Sequence, residues 1–145
     1  MKSLFKKISI SSDHAGFKLK EEIKKNLKKK KITVIDLGPQ NNNSVDYPDF
    51  ARKVARSVVA KKSNIGILVC GSGTGMAMSA NKIKKIIAAV CYNKASTSLS
   101  RKHNNANILA LGSRLTKKSV ALKLVNVFLG TKFEGGRHLR RVKKV

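Results

Sequence analysis

The sequence predicts a single doubly wound α/β domain of three layers, with a parallel sheet of about five strands and a basic C-terminal extension over 133–145. Three observations predict it. Short β-branched runs alternate with helix-like stretches, the pattern of successive βαβ units. One of those runs, Ile65 to Cys70 (IGILVC), is apolar on both faces, as a central parallel strand must be. The chain of 145 residues, 41% of them hydrophobic, suits one continuous core rather than two.

The elements follow in order. Lys7 to Ser11 (KISIS) reads as a first strand, and Phe17 to Lys29 as a helix, with Phe17, Leu19, Ile23 and Leu27 forming an apolar stripe against a solvated basic face. Thr33 to Leu37 (TVIDL) is a second strand, and the polar GPQNNNSVDY after it is a loop. Asp46, Tyr47 and Pro48 open a second helix whose apolar side carries Val54, Val58 and Val59. After the Ile65 to Cys70 strand come a helix from about Gly75 to Asn81 and a fourth strand over Ile86 to Cys91. A short helix from Ala95 to His103, a fifth strand from Ile108 to Leu111 and a last long helix from Lys117 to Leu129 complete the pattern. The tail GTKFEGGRHLRRVKKV has too little apolar matter for a core of its own and must lie on another surface.

Composition narrows the function classes. Lys and Arg number 32 against 7 Asp and Glu, a formal charge of +25. Such a surplus attracts polyanions at low salt. The basic residues are spread along the chain, however, with no interleaved stacking aromatics and no groove-reading motif, so a specific nucleic-acid role is not expected. No apolar run approaches the roughly 18 residues of a membrane span, and the N-terminus lacks a signal peptide's apolar centre. Two cysteines without CxxC spacing and three scattered histidines point away from a disulfide scaffold or structural zinc. A reducing, cytoplasmic setting is expected.

In an open parallel sheet ligands sit beyond the carboxyl ends of the strands. The loops there carry Asp13 and His14 after the first strand, Tyr47 after the second, and Cys70 with Gly71-Ser72-Gly73-Thr74-Gly75 after the third. These residues are expected to converge on one rim. The glycines match neither a Walker A loop nor GxGxxG, and GxSxG is absent. They do allow backbone N–H groups at a helix start to approach an anion, or simply a tight strand-to-helix turn. Cys70 beside that helix start is either a favoured thiolate or an inert packed thiol, and Cys91 reads as packed. Asp13 can also cap the following helix. Arg137 and Arg141 are four apart, so on a helix they share a face and can clamp a phosphate.

Taken together, SDHAG at 12–16, DYPD at 46–49, GILVCGSGTGMAMSANK at 66–82, SRKHNNANILALGSR at 100–114 and FEGGRHLRRV at 133–142 resemble ribose-5-phosphate isomerase type B and the related isomerases of allose 6-phosphate and galactose 6-phosphate. The resemblance runs nearly end to end and implies a Rossmann-like domain. It implies an aldose–ketose isomerase of the non-oxidative pentose phosphate pathway, converting D-ribose 5-phosphate to D-ribulose 5-phosphate through an enediolate with no metal and no cofactor. It implies Cys70 as the general base, since Met76 stands where some members place a glutamate. Gly71, Ser72, Gly73, Thr74 and Gly75 would steady the enediolate oxygens through backbone N–H groups. His103 would open the sugar ring, Asp13 would shuttle hydroxyl protons, Tyr47 and Asn104 would bind the sugar, and His14, Arg114, Arg137 and Arg141 would hold the phosphate. Three positions depart from the common pattern: Ser72 in place of a frequent Thr, Ile87 in place of Arg and Asn105 in place of Asp.

Topology adds an expectation. His103 precedes the fifth strand and so sits at the amino end of the sheet, opposite the rim of Cys70. One subunit cannot easily join them. A homodimer with shared active sites is therefore expected, His103 and Asn104 reaching the partner's Cys70 pocket and the extension packing at the interface. Pairing of two such dimers is left open.

Overall fold

The computed structural model describes residues 2–145. The order is β1 (Lys7–Ser12), α1 (Phe17–Lys29), β2 (Thr33–Asp36), α2 (Tyr47–Val59), β3 (Ile65–Cys70), α3 (Thr74–Asn81), β4 (Ala88–Val90), α4 (Lys94–Lys102), β5 (Ile108–Gly112), α5 (Lys118–Gly130) and α6 (Arg137–Val142). The five strands form one all-parallel sheet in the order β2-β1-β3-β5-β4.

Side-chain alternation along the strands divides the core in two. Ile67 and Val69 of β3, with Ile8, Ile10, Leu109 and Leu111, meet Ile23, Leu27, Leu124 and Phe128 of α1 and α5. Leu68 and Cys70, with Ile108 and Ala110, meet Val54, Val58, Met76 and Ala77 of α2 and α3. β3 is buried at all six positions, so the fully apolar run is a central strand flanked by helices on both faces. The chain leaves β1 in one direction along the sheet and places β3 on the other side. The crevice of a doubly wound sheet therefore opens between the carboxyl ends of β1 and β3.

Two local expectations are corrected. The fourth strand is Ala88–Val90 alone, because the Asn107 side chain takes the Ile87 N–H (2.8 Å) while Ile87 O accepts the Asn107 N–H, which ends the regular ladder there. The basic face of α1 is not wholly solvated. Lys20 is 0% exposed, its ammonium donating to both Asp36 oxygens (2.9 and 2.8 Å) and to Pro39 O (2.9 Å). The tail is partly helical: α6 folds back, and the Glu134 N–H donates to Lys102 O at the end of α4 (3.1 Å).

Candidate active site

Cys70 ends β3 and is 5% exposed. Immediately beyond it the chain turns through Gly73, which caps α3 in the left-handed region (φ 80°), a conformation that favours glycine. That turn aims the Gly73 N–H at Cys70 Sγ (3.1 Å). The contact strengthens as the sulfur gains negative charge, and the first turn of α3 adds its dipole in the same sense.

The loop after β5 is tied to the same place. Ser113 N–H donates to Cys70 O (2.8 Å) and Arg114 N–H to Gly71 O (3.0 Å), which lays the Arg114 guanidinium over Gly71. From β1, Asp13 N–H donates to Val69 O (3.1 Å), and the Asp13 carboxylate accepts the Gly16 N–H (2.9 Å), holding the turn into α1. Tyr47, at the start of α2, lies across Gly75 so closely that a Cβ there would come within 2.6 Å of its ring. Asp13, Tyr47, Cys70, Gly71, Ser72, Gly75, Arg114 and Leu115 line a cavity of about 430 Å³. His14 is not among its walls. Its Nδ1 accepts the Val45 N–H (3.3 Å), which steadies the loop before Tyr47 and leaves Nε2 for a ligand.

The five-residue backbone cradle is narrower than the sequence suggests. Gly73 N–H has the Cys70 sulfur as its partner, and Thr74 N–H has Ser72 Oγ (3.3 Å), so Gly71, Ser72 and Gly75 are the segment's contribution to the cavity wall. Cys91 is a packed thiol, 1% exposed, and burial pushes its pKa up.

His103 and Asn104 lie elsewhere, at the end of α4. With Ile87, His138, Arg141 and Val142 they line a second cavity of about 460 Å³. Within one chain, then, Cys70 and His103 face different cavities. Arg137 and Arg141 sit one turn apart on α6, both exposed, and Arg137 lines neither cavity.

Two residues of this second surface escape a reading of the sequence. The His138 ring stacks on His103 with centroids 4.1 Å apart and planes 12° from parallel. The Glu134 carboxylate lies 3.8 Å from His103 Nε2 and 3.7 Å from His138 Nε2. Burial, then the charges of His103 and Arg137, hold His138 below the ordinary histidine pKa. The one available signal was the four-residue spacing of Glu134 and His138. Among the described residues these three side chains are also the group whose donor atoms converge, all within 4.8 Å, as metal ligands would. No helix among the described residues is long and apolar enough to cross a membrane.

Comparison with known proteins places this geometry. The chain is 43% identical over 140 residues to ribose-5-phosphate isomerase B of Escherichia coli K12, covering 97% of this chain and 94% of that protein. The ribose-5-phosphate isomerase B structure from Clostridium thermocellum superposes with a TM-score of 0.94 at 50% identity, over 95% of this chain and 93% of that one. The Mycoplasma genitalium ribose-5-phosphate isomerase B, solved with bound ribulose-5-phosphate, gives 0.91 at 46% identity, over 95% and 92%. Residues 8–145 match the family described as ribose/galactose isomerase, and with that fold, that cysteine-ended strand and those relatives the chain belongs to the ribose/galactose isomerase family.

Proposed function

We propose that this protein interconverts D-ribose 5-phosphate and D-ribulose 5-phosphate in the cytoplasm, with Cys70 as the base and without metal or cofactor. The observation that carries the reading is the Cys70 thiol. It stands at the end of the central strand with a backbone N–H on its sulfur, in a cavity that also holds Asp13, Tyr47 and Arg114. Relatives named for this reaction support the substrate.

In this reading the open-chain aldehyde lies with C1 and C2 beside Cys70. The thiolate takes the C2 proton, and the electron pair moves through C1–C2 to the carbonyl oxygen, giving an enediolate. The N–H groups of Gly71, Ser72 and Gly75 steady its oxygens, and Asp13 relays the hydroxyl proton from O2 to O1. Cys70 returns its proton to C1, leaving a ketone at C2. Arg114 and His14, with Arg137 and Arg141, fix the phosphate so that the reacting carbons do not drift from the sulfur.

The proposal includes a homodimer in which His103 and Asn104 of one subunit complete the Cys70 cavity of the other and open the furanose ring. The placement of Cys70 and His103 in separate cavities of one chain supports it. The test is turnover of ribose 5-phosphate with chelator present and allose 6-phosphate run alongside. Metal-free turnover favouring the pentose upholds the reading; inactivity on both sugars overturns it. Mixing inactive Cys70→Ala and His103→Ala proteins tests the sharing. If sites span two subunits, exchange restores about a quarter of wild-type activity, the share of sites that receive neither defect in a twofold assembly. No recovery after proven exchange rules out shared sites.

A further inference from the structure

We infer that Glu134 is a positioning residue: it orients the His103 imidazole and keeps a proton at Nε2, acting through His103 and not on the sugar. The role rests on the reading of His103 as the ring-opening group.

The geometry is built by the chain on both sides of Glu134. Its own N–H is fixed to Lys102 O (3.1 Å), the carbonyl next to His103. Gly135 and Gly136 then turn the chain at φ 67° and 53°, and His138 N–H closes onto Gly135 O (3.0 Å). The turn returns His138, 8% exposed, to lie flat against His103. One carboxylate therefore sits at the edge of two parallel rings, within 3.8 Å of both Nε2 atoms. Stacking fixes the plane of the His103 ring but leaves its two edges equivalent to packing forces. The carboxylate breaks that equivalence, because a negative charge at one edge favours the tautomer whose N–H faces it. An imidazole with its proton held at Nε2 by the carboxylate keeps the Nδ1 lone pair free to take the C1 hydroxyl proton of a closed sugar, the ring oxygen gaining a proton from water as its bond to C1 breaks.

A cation is a poorer occupant of the cluster. Near-parallel rings hold their lone pairs in separate planes and cannot both aim at one ion without unstacking. Arg137 and Arg141 also place positive charge beside His138.

The experiment compares wild type with Glu134→Gln and Glu134→Asp in the full chain. Nitrogen-15 NMR of the His103 ring reads the tautomer. It should show the proton at Nε2 in wild type and in the Asp variant, and a mixture in the Gln variant. Turnover of ribose 5-phosphate should fall about five-fold in kcat for Glu134→Gln, the size of a half-exposed ion pair, with KM little changed and Asp restoring most of the loss. Ribulose 5-phosphate is open-chain, so Cys70-dependent exchange of its C1 proton with deuterated water bypasses ring opening and should be unchanged. An unaltered tautomer in Glu134→Gln overturns the inference. So does an equal loss in turnover and exchange, which would mark a merely structural residue. A changed tautomer with undiminished turnover would uphold the positioning and instead remove His103 as the ring-opening group.

Discussion

The rim that holds Cys70 and the surface that holds His103 are built in opposite ways. At the rim, Cys70 and its neighbours are fixed by backbone N–H groups: the Gly73 N–H to the sulfur, the Ser113 N–H to Cys70 O, the Asp13 N–H to Val69 O. On the His103 surface, backbone bonds seat Glu134 and His138, but the His103 ring itself rests on other side chains, with Asn104, Glu134 and Arg141 exposed. Proton abstraction from carbon needs a base held close and steady, whereas opening a ring and gripping a phosphate need groups a substrate can meet on arrival. The rigid region suits the first task and the open one suits the second, so substitutions in the two should fail in different ways.

The largest effect is expected at the rim. Cys70→Ala removes the proposed base and should lower kcat by about 10²- to 10⁴-fold, while calorimetry still detects ribose 5-phosphate binding. Normal turnover in this variant would eliminate Cys70 as base. The scaffold beneath the rim comes next. Asp36 is the main partner of the buried Lys20 ammonium, which also grips Pro39 O at the start of the loop leading to Tyr47. Asp36→Asn should cost about 3 kcal/mol in denaturant unfolding, since it leaves a buried cation without its main partner. The same network sets an acid limit. Burial works against ionisation of Asp36 and Glu21, but hydrogen bonds from Lys20 and Lys24 outweigh it and hold both carboxyls below their ordinary values. Stability from these groups is thus complete above the unfolded pKa and is lost as pH falls through the folded one. Unfolding free energy should be flat near neutrality and decline below about pH 4, with Asp36→Asn flattening the decline.

On the open surface the signature should be binding. Arg137→Ala with Arg141→Ala removes two charged donors, and KM for ribose 5-phosphate should rise roughly tenfold or more with kcat less affected. An unchanged KM would dismiss the phosphate clamp. The contrast of a kcat defect at Cys70 with a KM defect on α6 is the direct measure of the division of labour.

The two regions also differed in how much of them the sequence disclosed. Ile65–Cys70 could be placed at once because a strand buried on both faces has no polar position, and the glycine-rich turn follows from it locally. The crevice location then follows from strand order. Lys20 read as a solvated lysine because its partners, Asp36 and Pro39, are distant in sequence and only the fold brings them over its ammonium. The fourth strand read too long because Ile86 and Cys91 are apolar, but an Asn107 side chain takes the hydrogen bond that would have extended it. The α6 turn carries no apolar stripe. Its His138 is buried by stacking on His103, a contact that no periodicity announces.

The smallest effect tests the frame of the open surface. Arg101 is 6% exposed and reaches Thr131 O (3.2 Å), Ala106 O (2.6 Å) and Asn105 Oδ1 (3.1 Å), with no carboxylate partner among the described residues. Burial pulls its pKa down, the direction expected of a guanidinium taken from water without a counter-charge. Asn105 holds a left-handed backbone (φ 51°), which aspartate tolerates about as well. Asn105→Asp therefore keeps the geometry and supplies the missing charge. Because position 105 is exposed, the gain should be modest, about 0.5 to 1 kcal/mol, read as a rise of a few degrees in Tm. A loss of stability would mean that the neutral amide at 105 serves better than an added charge, the buried Arg101 being satisfied by its carbonyl and amide acceptors.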